Sequence, residues 1–278
     1  MQRPISRTIQ KPGSRSLDIP SVVDDLQAHG QYTFRRHELD RFVTRSDEAV
    51  QKALRRLNQK RRIASPRRGF YVIVPLEYRA VGLPPTSWFI DDLMKDIGEP
   101  SYYVGLLSAA ALHGASHHKP QEFQVIASRP IRSVTIGRTR IRFFTKRHLD
   151  TTPVQQMKTV TGSMRVSTPE ATALDLLRYV GQVGYLGNVA TVLAELAESL
   201  DTTRLLAAAR SDVEVSCIQR LGYLLEHLGH PRLAGPLARW LSTRALRPTP
   251  LRPDRPVDTA RKNSRWSVLI NEDVEAEA

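Results

Sequence analysis

The sequence predicts an α+β chain: an N-terminal winged helix-turn-helix followed by a larger mixed α/β domain. Three observations predict it. First, the chain has 278 residues with 41 Lys and Arg against 28 Asp and Glu, and the surplus is uneven. Residues 1–80 hold 17 Lys and Arg against 8 acids, a net of +9, while the remaining 198 hold 24 against 20, a net of +4. Second, residues 17–80 follow the order helix, helix, turn, basic helix, hairpin. Third, strand patterns beyond residue 80 cluster early and helical patterns late, which is the segregation of an α+β domain.

The elements are justified in order. Residues 1–16 are basic, hold two prolines and a glycine, and show no apolar periodicity, so they read as a disordered arm. A first helix is expected from Ser21, as N-cap, to His29, with Gly30 as its stop. A second covers Arg36 to Phe42, and Thr44-Arg45-Ser46 is the turn. Ser46 then caps a third helix from Asp47 to Lys60, with two acids in the first turn where the helix dipole favours them. At about 100° per residue, Val50, Ala53, Leu54 and Leu57 share one arc, and Glu48, Lys52, Arg55 and Gln59 lie opposite. Arg62–Ala64, a turn Ser65–Gly69 and a return strand Phe70–Val74 complete the hairpin.

The second domain is expected over 81–275. Helices read at Ser87–Ile97 and Val104–His113, then strands at Glu122–Ala127 and Val134–Phe144 with a turn at Gly137. Thr168-Pro169-Glu170 opens a helix at Ala171–Tyr179, and helices follow near 188–199, 203–210, 213–228 and 234–243. Residues 247–261 contain four prolines and read as a connector. Arg265–Ile270 reads as a last strand.

A strongly basic unit with this plan points to double-stranded DNA. Arg and Lys on a recognition helix can pair with guanine, and Gln with adenine. The candidate DNA-binding residues are Ser46, Gln51, Lys52 and Arg55 near base edges, with Arg45 in the turn before them. Arg56 and Lys60 are placed for phosphates, and Arg67 and Arg68 sit at the hairpin tip. Arg138, Arg140 and Arg142 alternate along a strand, as a solvated face or an added contact surface.

Other chemistries find little support. One cysteine, Cys217, gives no internal disulfide and reads as a buried thiol at helical spacing. His113, His117 and His118 lie close in sequence but lack the acids that accompany zinc sites, so no metal is expected. Glu122-Phe123-Gln124-Val125 has Gln where a nuclease strand needs Lys, and no paired aspartates follow Gly162-Ser163. GxGxxG and Walker patterns are absent, and no cofactor and no enzyme activity is expected. No run of about 18 apolar residues predicts a membrane helix, and the basic N-terminus lacks the apolar core of a signal peptide, so the expected address is the cytoplasm.

Four segments resemble AbiEi-type antitoxins. Ser167-Thr168-Pro169-Glu170 with Ala171–Leu177 resembles their "STPE-x-T-x-LDLL" segment. Gln219–Leu225 (QRLGYLL), the ending from Arg265-Trp266 to Asn271, and the wing Arg68–Val72 resemble other parts, in the family's order over roughly 17–275. The resemblance implies an antitoxin of a type IV toxin–antitoxin, or phage-abortive-infection, pair. Its winged helix would bind inverted repeats upstream of the operon and repress it. Its C-terminal domain would counteract an AbiEii-like nucleotidyltransferase toxin, functionally and without a need for a stable complex. Asp175 and Arg220, the polar residues inside the motifs, are toxin-neutralisation candidates or else buried structural groups. The rival reading is a ligand-responsive winged-helix regulator unrelated to a toxin.

Overall fold

The computed structural model describes residues 18–115, 120–212 and 214–274. The arm at 1–16 and the histidines His117 and His118 therefore lie outside the described residues. The chain divides into two compact units between Pro84 and Pro85.

In the first unit, α1 spans Ile19–Ala28 and begins two residues earlier than expected. Asp18, not Ser21, is the N-cap: its Oδ1 accepts from the Ser21 N–H at 2.9 Å. Pro20 sits in the first turn, where a missing N–H leaves no helix bond unmade. Ile19, Val22, Val23 and Leu26 are buried. A short strand β1, Thr33–Arg35, follows, then a 3-10 turn over Arg36–Arg41 where a helix to Phe42 was expected. The helix α2, Asp47–Gln59, is capped by Ser46, whose Oγ accepts from the Ala49 N–H at 3.4 Å. Val50, Leu54 and Leu57 of α2 are buried against the same core as α1.

The hairpin consists of β2, Ile63–Arg67, and β3, Phe70–Ile73, and β3 lies between β1 and β2 in an antiparallel sheet. The turn is tighter than the sequence predicted. The register shifts between Ala64 and Arg67, so Pro66 falls in the irregularity rather than in the loop. The reversal itself is Arg68-Gly69, with Gly69 at φ +82°.

The second unit is built on a six-stranded mixed sheet. Its first helix, α3, covers Ile90–Ile97; Thr86–Trp88 is a separate 3-10 turn, so the start expected at Ser87 moves to Ile90. Next come β4, Tyr103–Val104, and α4, Leu106–Leu112, where one helix from Val104 was expected. The sheet continues with β5 (Glu122–Ala127), β6 (Val134–Ile136), β7 (Thr139–Thr145), β8 (Val154–Thr159) and β9 (Gly162–Ser167). The order is β6-β7-β5-β4-β9-β8, with β5–β7 and β4–β9 parallel.

Five helices follow: α5 (Pro169–Arg178), α6 (Tyr185–Leu196), α7 (Thr202–Ser211), α8 (Val215–His227) and α9 (Pro231–Leu241). A small sheet closes the unit: β10 (Thr249–Pro250), β11 (Arg261–Asn263) and β12 (Val268–Ile270), in the order β10-β12-β11. The segment 247–261 is thus not a connector. Thr249 and Leu251 are buried, and Asn271 accepts from the Arg252 N–H at 2.9 Å while donating to the Arg252 carbonyl at 2.8 Å.

Candidate functional site

The first unit presents α2 and the hairpin turn as its basic surface. Ser46 fixes the start of α2, and burial of Val50, Leu54 and Leu57 fixes its rotation. The opposite face is then exposed: Gln51, Lys52, Arg55, Arg56, Gln59 and Lys60. Gln51 with Arg55, and Lys52 with Arg56 and Lys60, follow four-residue spacing and form two adjacent rows. Arg45 before the helix and Arg67 and Arg68 at the turn are exposed as well. The side chains of Lys52, Arg55, Arg56, Lys60 and Arg68 make no ion pair among the described residues.

Other cations of the unit are committed internally. Arg36 binds Asp40 at 2.7 Å and also Asp47, and Arg62 binds Asp24. Arg61 donates to the Ala80 carbonyl at 2.9 Å. Arg36 also neutralises one of the acids at the α2 N-terminus, which makes that end less repulsive to an anion. Arg41, absent from the candidates expected from sequence, is exposed on the 3-10 turn.

The second unit carries a buried ionic cluster. Asp175 on α5 is fully buried; its Oδ2 accepts from the Tyr103 hydroxyl at 2.6 Å and its Oδ1 from Lys146 Nζ at 2.9 Å. Arg178, one turn along, donates twice to Asp212 at 2.6 and 2.7 Å and also binds Glu214. Burial pushes the Tyr103 phenol well above its ordinary value, and the Asp175 charge adds to this, so it remains a proton donor to the carboxylate. Burial would raise the Asp212 carboxyl, but hydrogen bonds from Arg178 and the Glu214 N–H hold it below its ordinary value. The cluster joins β4, the residue that follows β7, α5 and the loop after α7.

The start of α5 has the chemistry its sequence suggested. Thr168 Oγ1 accepts from the Ala171 N–H at 3.3 Å, and Pro169 is the first helical residue. Glu170 does more than sit in the first turn: it is buried and accepts from Arg204 Nε at 2.9 Å and from the Asp201 N–H at 3.2 Å.

Residues 103–227 match the model of the AbiEi antitoxin C-terminal domain. This segment, 125 of the 278 residues, is similar to an AbiEi-type antitoxin domain. It runs from the first residue of β4 to the last of α8, and so contains both the Thr168-Pro169-Glu170 cap and the ionic cluster. AbiEi proteins are antitoxins of toxin–antitoxin pairs and not an enzyme family. No curated protein matches the chain. The crystal structure of RV2827C protein from Mycobacterium tuberculosis is similar in fold, with a TM-score of 0.65 at 14% identity over 89% of each chain.

Within the matched segment, both neutralisation candidates are interior. Asp175 is enclosed by the cluster, so of the two readings it is the buried structural group. Arg220 on α8 is 8% exposed and donates from Nε to the Pro250 carbonyl at 2.9 Å. Its neighbour Gln219 donates from Nε2 to the carbonyls of Trp266 at 2.9 Å and Ser267 at 3.2 Å. The motif around Arg220 therefore staples the terminal sheet to α8. Arg140 and Arg142 lie on β7 and both reach Glu122, at 3.1 and 3.5 Å, whereas Arg138 falls in the turn before β7 rather than on the strand and has no acid among the described residues. His113 bonds the Ser167 carbonyl at 2.8 Å, and no group of three His, Cys, Asp or Glu side chains suited to a metal ion occurs among the described residues. No helix among them is long and apolar enough to cross a membrane.

Proposed function

We propose that this chain is the antitoxin of a type IV toxin–antitoxin pair and that it represses its own operon. The observation that carries the reading is the antitoxin-domain match at 103–227. The basic face of α2 supports the DNA-binding half. A helix that buries Val50, Leu54 and Leu57 and offers Gln51, Lys52 and Arg55 outward has the chemistry of a major-groove reader. Arg67 and Arg68 at the hairpin tip would act as a wing beside it, on phosphates or in the minor groove. The first unit is then a winged helix-turn-helix, its DNA the inverted repeats upstream of the operon.

The second unit would counteract a nucleotidyltransferase-like toxin in the cytoplasm. Asp175 and Arg220 serve this by holding the domain together, because neither side chain is open to a partner. Neutralisation then depends on surface residues that their packing positions.

Growth rescue tests the reading. The neighbouring gene product is expressed alone, with the full chain, and with residues 85–278. Rescue by both forms supports an antitoxin whose neutralising part is the second unit. A toxic neighbour that neither form rescues, or a harmless neighbour, overturns it and favours a regulator without a toxin.

A further inference from the structure

The positive charge of the second unit is concentrated after the antitoxin match ends. Residues 85–227 hold 15 Lys and Arg against 14 Asp and Glu, a net of +1, whereas residues 228–278 hold 9 against 6, a net of +3. This terminal part, α9 with the β10-β12-β11 sheet, contains two clefts that share a wall. The first, about 650 Å³, lies between the start of α8 and the segment Arg244–Thr249. The second, about 540 Å³, lies between the end of α9 and the turn Ser264–Ser267. Arg244 and Leu246 form the ridge that lines both.

The clefts are lined with arginines. Arg247 faces the first, Arg239 and Arg265 the second, and Arg244 both. Arg265 is held by Glu226 at 2.7 Å. Arg239, Arg244 and Arg247 are exposed and have no acidic partner among the described residues. The Arg244 guanidinium lies 4.1 Å from the centroid of the Trp240 ring, so a flat cationic surface is already stacked on the ridge. Ser216 and Ser264 add hydroxyl groups to the walls.

We propose that these two clefts bind a single-stranded nucleic acid, one nucleotide on each side of the Arg244 ridge. Arginine planes suit both phosphate oxygens and the faces of unstacked bases, the combination that sequence-tolerant single-strand sites use. Each cleft is large enough for a small ligand. A duplex is a poor fit. Its bases are stacked inside, and the ridge is the irregular segment 242–248 rather than a helix or ribbon that could enter a major groove. The site is independent of the operator reading, because all its residues belong to the second unit.

Two probes on the full chain test it: a fluorescein-labelled oligo(dT) of about 15 nucleotides, and a duplex carrying the upstream inverted repeats. The wild-type chain binds both. Arg239→Gln/Arg244→Gln/Arg247→Gln weakens oligo(dT) binding at least tenfold and leaves duplex binding within about twofold. It also makes the log K against log salt slope for oligo(dT) shallower by about 2, since each lost phosphate contact removes about 0.7. Should the triple variant melt early, Arg244→Gln and Arg247→Gln are read singly, each expected to cost at least twofold on oligo(dT). The proposal is overturned if the wild-type chain does not bind oligo(dT), or if binding is lost in Lys52→Ala/Arg55→Ala but kept in the triple variant. It is equally overturned if the triple variant weakens duplex and single strand alike, or if both single variants bind as wild type.

Discussion

Trp266 packs its indole ring directly on α8 at Gly222, so closely that a Cβ built on Gly222 would lie 1.9 Å from ring atom Cζ3. The ring is fully buried, and its Nε1 donates to Glu226 at 2.6 Å, one turn beyond Gly222. Glycine inside a helix costs about 1 kcal/mol relative to alanine, so its presence in the QRLGYLL segment has a steric reason. Gly222→Ala should lower stability by about 3 kcal/mol through overpacking, read as a fall in the urea midpoint. Trp266→Leu in the same background should recover part of the loss. If Gly222→Ala stabilises the protein, as helix propensity on its own would have it, the close approach is refuted.

The cluster around Asp175 yields a second prediction. Lys146 contacts Asp175 at 2.9 Å and Asp212 at 3.7 Å, and its side chain is 6% exposed. Lys146→Ala leaves two buried carboxylates facing one guanidinium, Arg178. Removing one partner of a buried ion pair costs about 3–5 kcal/mol, because the remaining charge stays desolvated. Denaturant unfolding of Lys146→Ala measures this. A loss below about 1 kcal/mol, the level of a surface pair, would show that the cluster is solvated.

The same cluster sets an acid limit. The folded-state value of Asp212 lies below its ordinary 3.8. A depressed carboxylate contributes stability that is fully present above its unfolded value and is lost as pH falls through the folded one. The urea midpoint should therefore drop below about pH 4, and the drop should be shallower in Asp212→Asn. An identical acid limb in that variant would assign the loss to other carboxylates.

What could be read from the sequence was local. Ser46, two first-turn acids and the spacing of Val50, Leu54 and Leu57 specify α2 within a dozen residues, and α2 came out within one residue of the expected end. The start of α5 was legible for the same reason: Thr168, Pro169 and Glu170 are consecutive. Strands that exist through their partners were not legible. β1 is three residues long and pairs Thr33 with Val72, and β4 is two residues long, between β5 and β9. The β8–β9 hairpin went unseen because edge strand β8 buries no residue fully and shows no clean alternation. Four prolines made 247–261 look like a linker, whereas Leu251 is in the core and Arg252 is tied to Glu272 and Asn271. At Asp175 the residue type was readable, but not Lys146, which is 29 positions away.

Cys217 provides a chemical test of the α8 core. The thiol is fully buried, and burial pushes its pKa up to about 12, although Arg178 pulls the other way. The thiolate is the reactive form, so native protein at neutral pH should react with an aromatic disulfide reagent only as fast as it unfolds. Adding denaturant above the midpoint should release one thiol per chain, in keeping with the single cysteine. Rapid reaction in native buffer would place α8 at the surface.

The exposed face of α2 makes the DNA reading quantitative. Arg45, Lys52, Arg55, Arg56, Lys60, Arg67 and Arg68 are seven exposed cations on α2 and at its two flanks. If five to seven of them meet phosphates, log K against log salt should fall with a slope of about −4 to −6 on duplex operator. Lys52→Ala or Arg55→Ala should cost about 1–3 kcal/mol on the operator and relax its sequence preference, because each is placed to reach base edges. Arg56→Ala and Lys60→Ala, further along the helix, should weaken operator and random duplex equally and lower the slope by about 1 each. Equal losses on both duplexes for Lys52 and Arg55 would reassign them to the backbone, and a slope near zero would remove the first unit from DNA binding altogether.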